Sequence, residues 1–142
     1  MNFLILITIV LLLFIMLPKV IVLFEKQQDY RLAKLRKDKG YDTQHLSNEL
    51  LQQGISYNIA SEITTYLGSI YWIPNFPFRA SDKLQKGFLC SLDIEDLDSI
   101  IHELCERCNL QYPQEETNFT AGSTILDLAK YLTGLTEKDS PY

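Results

Sequence analysis

The sequence predicts an all-α protein, a single transmembrane helix followed by a small helical bundle. Three observations carry this expectation. Phe3 to Leu17 is an unbroken apolar run, FLILITIVLLLFIML, which Val20–Phe24 resumes after Pro18 and Lys19. Beyond residue 43, apolar residues recur at spacings of three and four, the period of a helix face. No stretch alternates apolar and polar residues with period two strongly enough to predict a strand. A chain of 142 residues leaves room for one small domain once the apolar segment is set aside. Four regions follow: an anchor at 1–24, a basic juxtamembrane stalk at 25–42, a helical domain at 43–135, and a polar, disordered tail at 136–142.

The anchor, Phe3–Phe24, reaches about 33 Å as a helix, enough for a hydrocarbon core of about 30 Å. Pro18 kinks it or ends its regular part, which membrane helices tolerate. Lys19 can extend its ammonium to the headgroups. Asn2 is the only polar residue before the run and no small-residue cleavage site follows it, so the segment reads as an uncleaved anchor rather than a signal peptide. The stalk carries Lys26, Arg31, Lys34, Arg36, Lys37 and Lys39 against Glu25, Asp29 and Asp38. By the positive-inside rule, this collar places the body in the cytoplasm of a single-pass inner (plasma) membrane protein. Attraction to anionic lipid lays the collar along the membrane surface. On that side the sequon at Asn118 carries no glycan.

The body is acidic, with fifteen acids and six basic residues from Gly40 onward. That balance argues against nucleic acid, whose phosphates need a basic face. It suits a protein partner with a basic docking surface. Gly40 breaks the stalk. Thr43–Gln53 reads as a short helix ended by Gly54, and Asn58–Leu67 as another, with Ile59, Ile63, Tyr66 and Leu67 on one face and Gly68 as its cap. A long ordered loop follows, because Pro74 and Pro77 exclude a helix. Its Tyr71, Trp72, Phe76 and Phe78 are expected to cover the core. The next helix is capped by Ser91 or Asp93, and Asp93, Glu95 and Asp96 favour its positive N-terminus. Leu97, Ile101, Leu104 and Cys108 form its core face, Asn109 its cap, and Pro113 bars continuation. A last helix, Thr124–Leu132, stops at Gly134.

His102, Cys105 and Cys108 stand at i, i+3 and i+6, with Cys90 nearby in sequence. Positions i and i+6 face different sides of a helix, so the cysteines read as core thiols rather than metal ligands. Cys105 and Cys108 sit at the wrong end of their helix for a redox pair, whose thiols are activated at a helix N-terminus. Three cysteines make no secreted disulfide framework. No nucleophile elbow or phosphate-binding glycine motif occurs, so no enzymatic activity is expected.

Residues 57–133 contain, in order, Ala80-Ser81-Asp82-Lys83-Leu84, Gly87-Phe88-Leu89-Cys90-Ser91-Leu92-Asp93-Ile94-Glu95-Asp96-Leu97, an exit at Cys108–Pro113, and Ser123-Thr124-Ile125 ahead of LDLAKYL. This succession resembles the acyl carrier protein family. The resemblance implies an acyl-carrier-like helical bundle, and an acidic helix (Asp93, Glu95, Asp96) read by basic partners. It further implies 4′-phosphopantetheine carried on Ser91 as a phosphodiester. It suggests a bacterial source. Two departures accompany it. Cys90 stands where carriers have aspartate, and the distance from Ser91 to Pro113 is longer by about a helical turn. Either Ser91 carries the arm or it only caps the helix. If the helix exit sets the register, Ile94 takes the serine position and Asp93 the aspartate's. The chain is therefore expected to be a membrane-tethered, carrier-like docking module that need not carry the prosthetic group, or else a true carrier. The remaining reading is a bitopic membrane protein with an unrelated helical body. Its expected partners are membrane lipid and a basic-surfaced protein.

Overall fold

A computed structural model describes residues 2–84, 94–113, 119–120 and 122–138. It contains five helices: α1 (Asn2–Asp38), α2 (His45–Gln52), α3 (Tyr57–Ile70), α4 (Ile94–Arg107) and α5 (Ile125–Lys138). Among the described residues there is no strand, only an isolated antiparallel bridge between Lys83 and Thr124. The all-α expectation therefore holds.

The anchor and the stalk are one unbroken helix. α1 passes through Pro18, whose missing N–H leaves the Phe14 carbonyl without its usual donor. The Thr8 hydroxyl donates to the Leu4 carbonyl at 2.8 Å, so this polar group in the apolar run is satisfied within the helix. α1 is the one helix among the described residues long and apolar enough to cross a membrane. Its apolar residues from Phe3 to Phe24 are exposed.

Three helices end as their sequences require. At Gly40 (φ 85°), Gly54 (φ 83°) and Asn109 (φ 56°) the backbone turns left-handed. In each case the following amide reaches back five residues: Tyr41 N–H to Arg36 C=O at 3.0 Å, Ile55 to Leu50 at 3.1 Å, and Leu110 to Cys105 at 2.8 Å. These are Schellman closures, which satisfy otherwise unpaired carbonyls. Glycine or asparagine is needed there because other residues resist that φ.

Two other expected stops are overrun. Gly68 lies inside α3, which ends only at Tyr71 in extended conformation. α5 continues through Gly134 to Lys138 and takes in the first residues of the expected tail. Glycine weakens a helix without breaking it, and packing of Leu67 and Leu132 holds both helices across the gap.

The body encloses one core. α2 supplies Leu46 and Leu50, and α3 supplies Ile59, Ile63 and Leu67. α4 supplies Leu97, Ile101 and Leu104, and α5 supplies Ile125, Leu128 and Leu132. Each such side chain contributes roughly 1.5–3 kcal/mol on burial, largely offset by the entropy of ordering the chain. α4 buries Ile100 and Cys105 as well as its expected stripe, so its core face is wider than a four-residue reading suggests.

The segment between α3 and α4 closes this core. Phe76 and Phe78 are buried, and the rings of Tyr71, Phe76 and Phe78 lie 4.7–5.0 Å from one another, tilted or edge-to-face. Asn75 takes a positive φ of 55°, which turns the chain between Pro74 and Phe76. The end of the segment caps α5. Ile125 N–H donates to Asp82 C=O and Leu126 N–H to Ala80 C=O, each at 2.9 Å. Thr124 and Asp127 exchange a capping box, with Thr124 N–H donating to Asp127 at 2.8 Å and Asp127 N–H to the Thr124 hydroxyl at 3.3 Å. All four free amides at this helix start are thus satisfied.

Candidate functional site

Two features of the body stand out chemically: a buried polar clamp on α1, and the solvent face of α4. The clamp arises from the period of α1. Asp29, Ala33 and Arg36 stand at i, i+4 and i+7, on one helix face, and all three are buried. Ala33 belongs to the same apolar cluster as the helices of the body. Its small side chain lets the chain approach closely there.

Arg36 is the centre of the clamp. Its Nη1 donates to Asp82 Oδ2 at 2.7 Å and its Nη2 to Asp82 Oδ1 at 2.6 Å. Nη1 also donates to the Pro77 carbonyl at 2.9 Å. Asp82 Oδ2 accepts a further bond, from Arg79 N–H at 2.9 Å. The guanidinium lies 5.6 Å from the Phe76 ring centroid. This fork-on-fork geometry, with the remaining lone pairs satisfied, is what a buried ion pair needs to offset its desolvation.

Trp72 forms the part of the clamp nearest the apolar run of α1. Its Nε1 donates to Asp29 Oδ2 at 3.3 Å. Tyr30 meets it edge-on at 5.0 Å, and Lys26 Nζ lies 5.5 Å from its ring centroid. On the other flank, Arg79 donates to Glu49 Oε1 through Nε at 3.0 Å and Nη2 at 2.8 Å, and Ala80 N–H donates to Oε2 at 2.7 Å. Burial alone raises the Glu49 carboxyl. The bonds from Ala80 and Arg79 and the nearby His45 outweigh it and hold the group below its ordinary value.

The basic segment is therefore not a free stalk. It continues the line of the apolar segment without a break, and one face is fastened to the body. Packing against the body begins ahead of residue 42, at Asp29, Ala33 and Arg36. Lys26, Arg31, Lys34, Lys37 and Lys39 remain exposed, while Arg36 is withdrawn from that charge.

α4 turns its other face to solvent. Asp98, Ser99, His102 and Glu106 are exposed and Glu103 half-exposed. Arg107 pairs with Glu103 at 2.8 Å and lies over the Tyr66 ring at 5.1 Å. His102 reaches Glu106 at 3.8 Å, with the Tyr112 ring 5.2 Å away. Glu95 and Asp96 occupy the first turn of α4. Cys105 and Cys108 point inward and are free thiols. Burial, with Glu62 and Cys105 adding to it, pushes the Cys108 thiol up to about 11. Burial also raises Cys105. These are unreactive core thiols. Among the described residues, no three metal-ligating side chains come together.

Ser91 and Asp93, with Cys90, lie outside the described residues, as does the choice between Ser91 and Asp93 as cap. The 4′-phosphopantetheine implied by the carrier resemblance needs an exposed hydroxyl at a helix start. The one hydroxyl on the described part of α4, Ser99, stands in the second turn, away from the free amides, and does not fit that role. No family model matches this chain, and no characterised protein or solved structure is significantly similar to it.

Sequence reasoning found the aromatic loop and the α4 face but missed Arg36, Asp82 and Asp29. One signal was available. Within the charged segment, Ala33 is the one small residue, and Asp29 and Arg36 share its face. Asp82 carried no comparable signal.

Proposed function

We propose that this protein is a single-pass membrane protein whose cytoplasmic, carrier-like helical body docks protein partners through the acidic solvent face of α4. The observation that supports it most is the buried Arg36–Asp82 pair, with side chains 9% and 3% exposed. It makes a helix suited to a membrane and the helical body one packed unit. A body fastened in this way presents α4 at a set distance from the bilayer. The charge on that face comes from Asp98, Glu103 and Glu106, with Glu95 and Asp96 in the first turn. A partner with a basic surface is the complement such a face selects.

A photo-crosslinking amino acid at Asp98 or Glu106, in the full chain in its own membrane, tests this. A discrete adduct from the α4 positions is expected, absent from a control at Asn48 and lost in the Glu103→Lys/Glu106→Lys variant. Equal labelling at all sites, or adducts indifferent to the charge reversal, would sink the docking reading. Orientation has its own test. A reporter fused after Tyr142 should be active only in the cytoplasm.

A second reading is a covalent acyl carrier with the arm on Ser91. It is motivated by Ser91 standing three residues ahead of Ile94, where α4 begins. Intact mass after co-expression with several phosphopantetheinyl transferases separates the readings. An increment of that group, lost in Ser91→Ala, supports the carrier, and no increment removes it.

A further inference from the structure

We propose that the Tyr30–Trp72 edge of the body rests in the headgroup layer of the bilayer, with lipid as its occupant. The inference builds on the reading of α1 as a membrane span. It adds that the body itself is seated in the interface, at a height set by the clamp.

Height along α1 carries the argument. The apolar run ends at Phe24, and the residues that hold Trp72 are Lys26, Asp29 and Tyr30. They stand two to six positions beyond Phe24, about 3–9 Å further along the helix axis at about 1.5 Å per residue. The headgroup layer on each side of a bilayer is about 5–8 Å thick. The ring of Trp72 is thus fixed within the depth of that layer.

The chemistry at this height matches its solvent. Tyr30 is 58% exposed and Trp72 half-buried. Each pairs an apolar ring with a polar handle, the combination favoured where one end is apolar and the other wet. Ile70, at the end of α3, is 42% exposed and adds apolar surface just before Trp72 in the chain. Lys26, Arg31 and Lys34 are exposed on the same helix, and their charge favours anionic lipid over water or a cationic partner. A protein or a second copy covering this edge would have to enter the headgroup layer. Lipid is already there.

Trp72 is the sole tryptophan, so its emission reports on this edge alone. The full chain is reconstituted in phosphatidylcholine–phosphatidylglycerol vesicles. The vesicles are doped with lipid bearing a nitroxide at the headgroup, high on the acyl chain, or near its methyl end. Quenching by the first two is expected to exceed that by the third severalfold. Strongest quenching from the methyl-end label would overturn the assigned depth. Emission indifferent to every lipid label would overturn lipid contact, and shielding from aqueous acrylamide as well would assign the edge to a protein neighbour. The double variant Phe14→Trp/Trp72→Phe tests the span separately, because Phe14 lies mid-run and is 79% exposed. Its emission should be quenched most by the methyl-end label. If it is not, the span reading fails and this inference with it. If it is, while native Trp72 emission ignores the lipid labels, the inference fails alone.

Discussion

Along α1, the side chains from Phe3 to Phe24 are exposed although nearly all are apolar. From Lys26 to Asp38 charge dominates, yet Asp29, Ala33 and Arg36 are buried. The two halves share one helix and reverse the usual relation between polarity and burial. The apolar half asks nothing of the rest of the protein. Its length and composition suit a bilayer, where any residue of similar hydropathy would serve. In the charged half each buried residue answers particular partners: Asp29 to Trp72, Arg36 to Asp82 and the Pro77 carbonyl, and Ala33 to the core. One half is specified by composition, the other by position.

Removing position-specific charge should cost most. Arg36→Ala leaves Asp82 buried and short of its partner, which costs about 3–5 kcal/mol. Lys34→Ala, two residues away and exposed, should stay within about 0.5 kcal/mol. Urea unfolding of the full chain in micelles, followed by Trp72 emission, measures both. Equal effects would mean that the clamp holds nothing. Arg36→Met with Asp82→Leu should recover part of the loss, since apolar replacements of a buried pair are often tolerated. Recovery stays incomplete because Pro77 C=O and Arg79 N–H lose their partners.

The reciprocal change adds charge to the other half. Leu12→Arg places a cation mid-run at a cost to insertion of about 2.5–3.5 kcal/mol. The membrane-inserted fraction after alkaline extraction should fall, while the urea midpoint of the body stays where it was. A shifted midpoint would show that the apolar half also packs on the body.

The helices of the body were legible because a core face repeats. Leu97, Ile101 and Leu104 announce α4 through spacing alone, and the left-handed stops at Gly54 and Asn109 follow from residue type. The clamp was not legible for the opposite reason. Arg36 is one of six basic residues in a row of fifteen positions, and nothing local distinguishes it from Lys34 or Lys37. Its partner lies 46 positions away, in a segment whose neighbours are ordinary loop residues. Gly68 and Gly134 misled because glycine lowers helix stability by only about 1 kcal/mol, less than a buried leucine contributes. The site expected at Ser91 and Asp93 lies outside the described residues.

A smaller effect comes from the second fastening of the loop, Glu49 to Arg79 and Ala80. The folded state holds the Glu49 carboxyl below its ordinary value. Its contribution is therefore present above the ordinary carboxylate range and is lost as pH falls through the lowered folded value. Glu49→Gln should lower stability at neutral and alkaline pH and flatten the acid limb of a stability–pH profile measured by the same urea assay, so that variant and parent converge at low pH. A parallel downward shift at every pH would assign Glu49 a packing role instead.

The smallest effect lies at the alkaline end, and it also tests how far the clamp reaches. Cys108 keeps its proton in the folded state up to about 11, well above an ordinary thiol near 8.5. Its share of stability is complete below the ordinary value and lost as pH rises through about 11. In a Cys90→Ala background at neutral pH, maleimide should reach Cys105 and Cys108 only through opening of the body, since both are buried, one on α4 and one just past its end. The labelling rate then measures the free energy of opening. Arg36 and Asp82 both lie outside α4. If Arg36→Ala loosens only the loop against α1, labelling keeps its rate. If the body is one cooperative unit resting on the clamp, a loss of about 3–5 kcal/mol raises labelling by roughly two to three and a half orders of magnitude, at about 1.4 kcal/mol per factor of ten. The single core shared by Ala33, Leu50, Phe76, Leu104 and Leu132 favours the second outcome, in which a charged residue just beyond the apolar run sets the stability of a helix roughly sixty positions further along the chain.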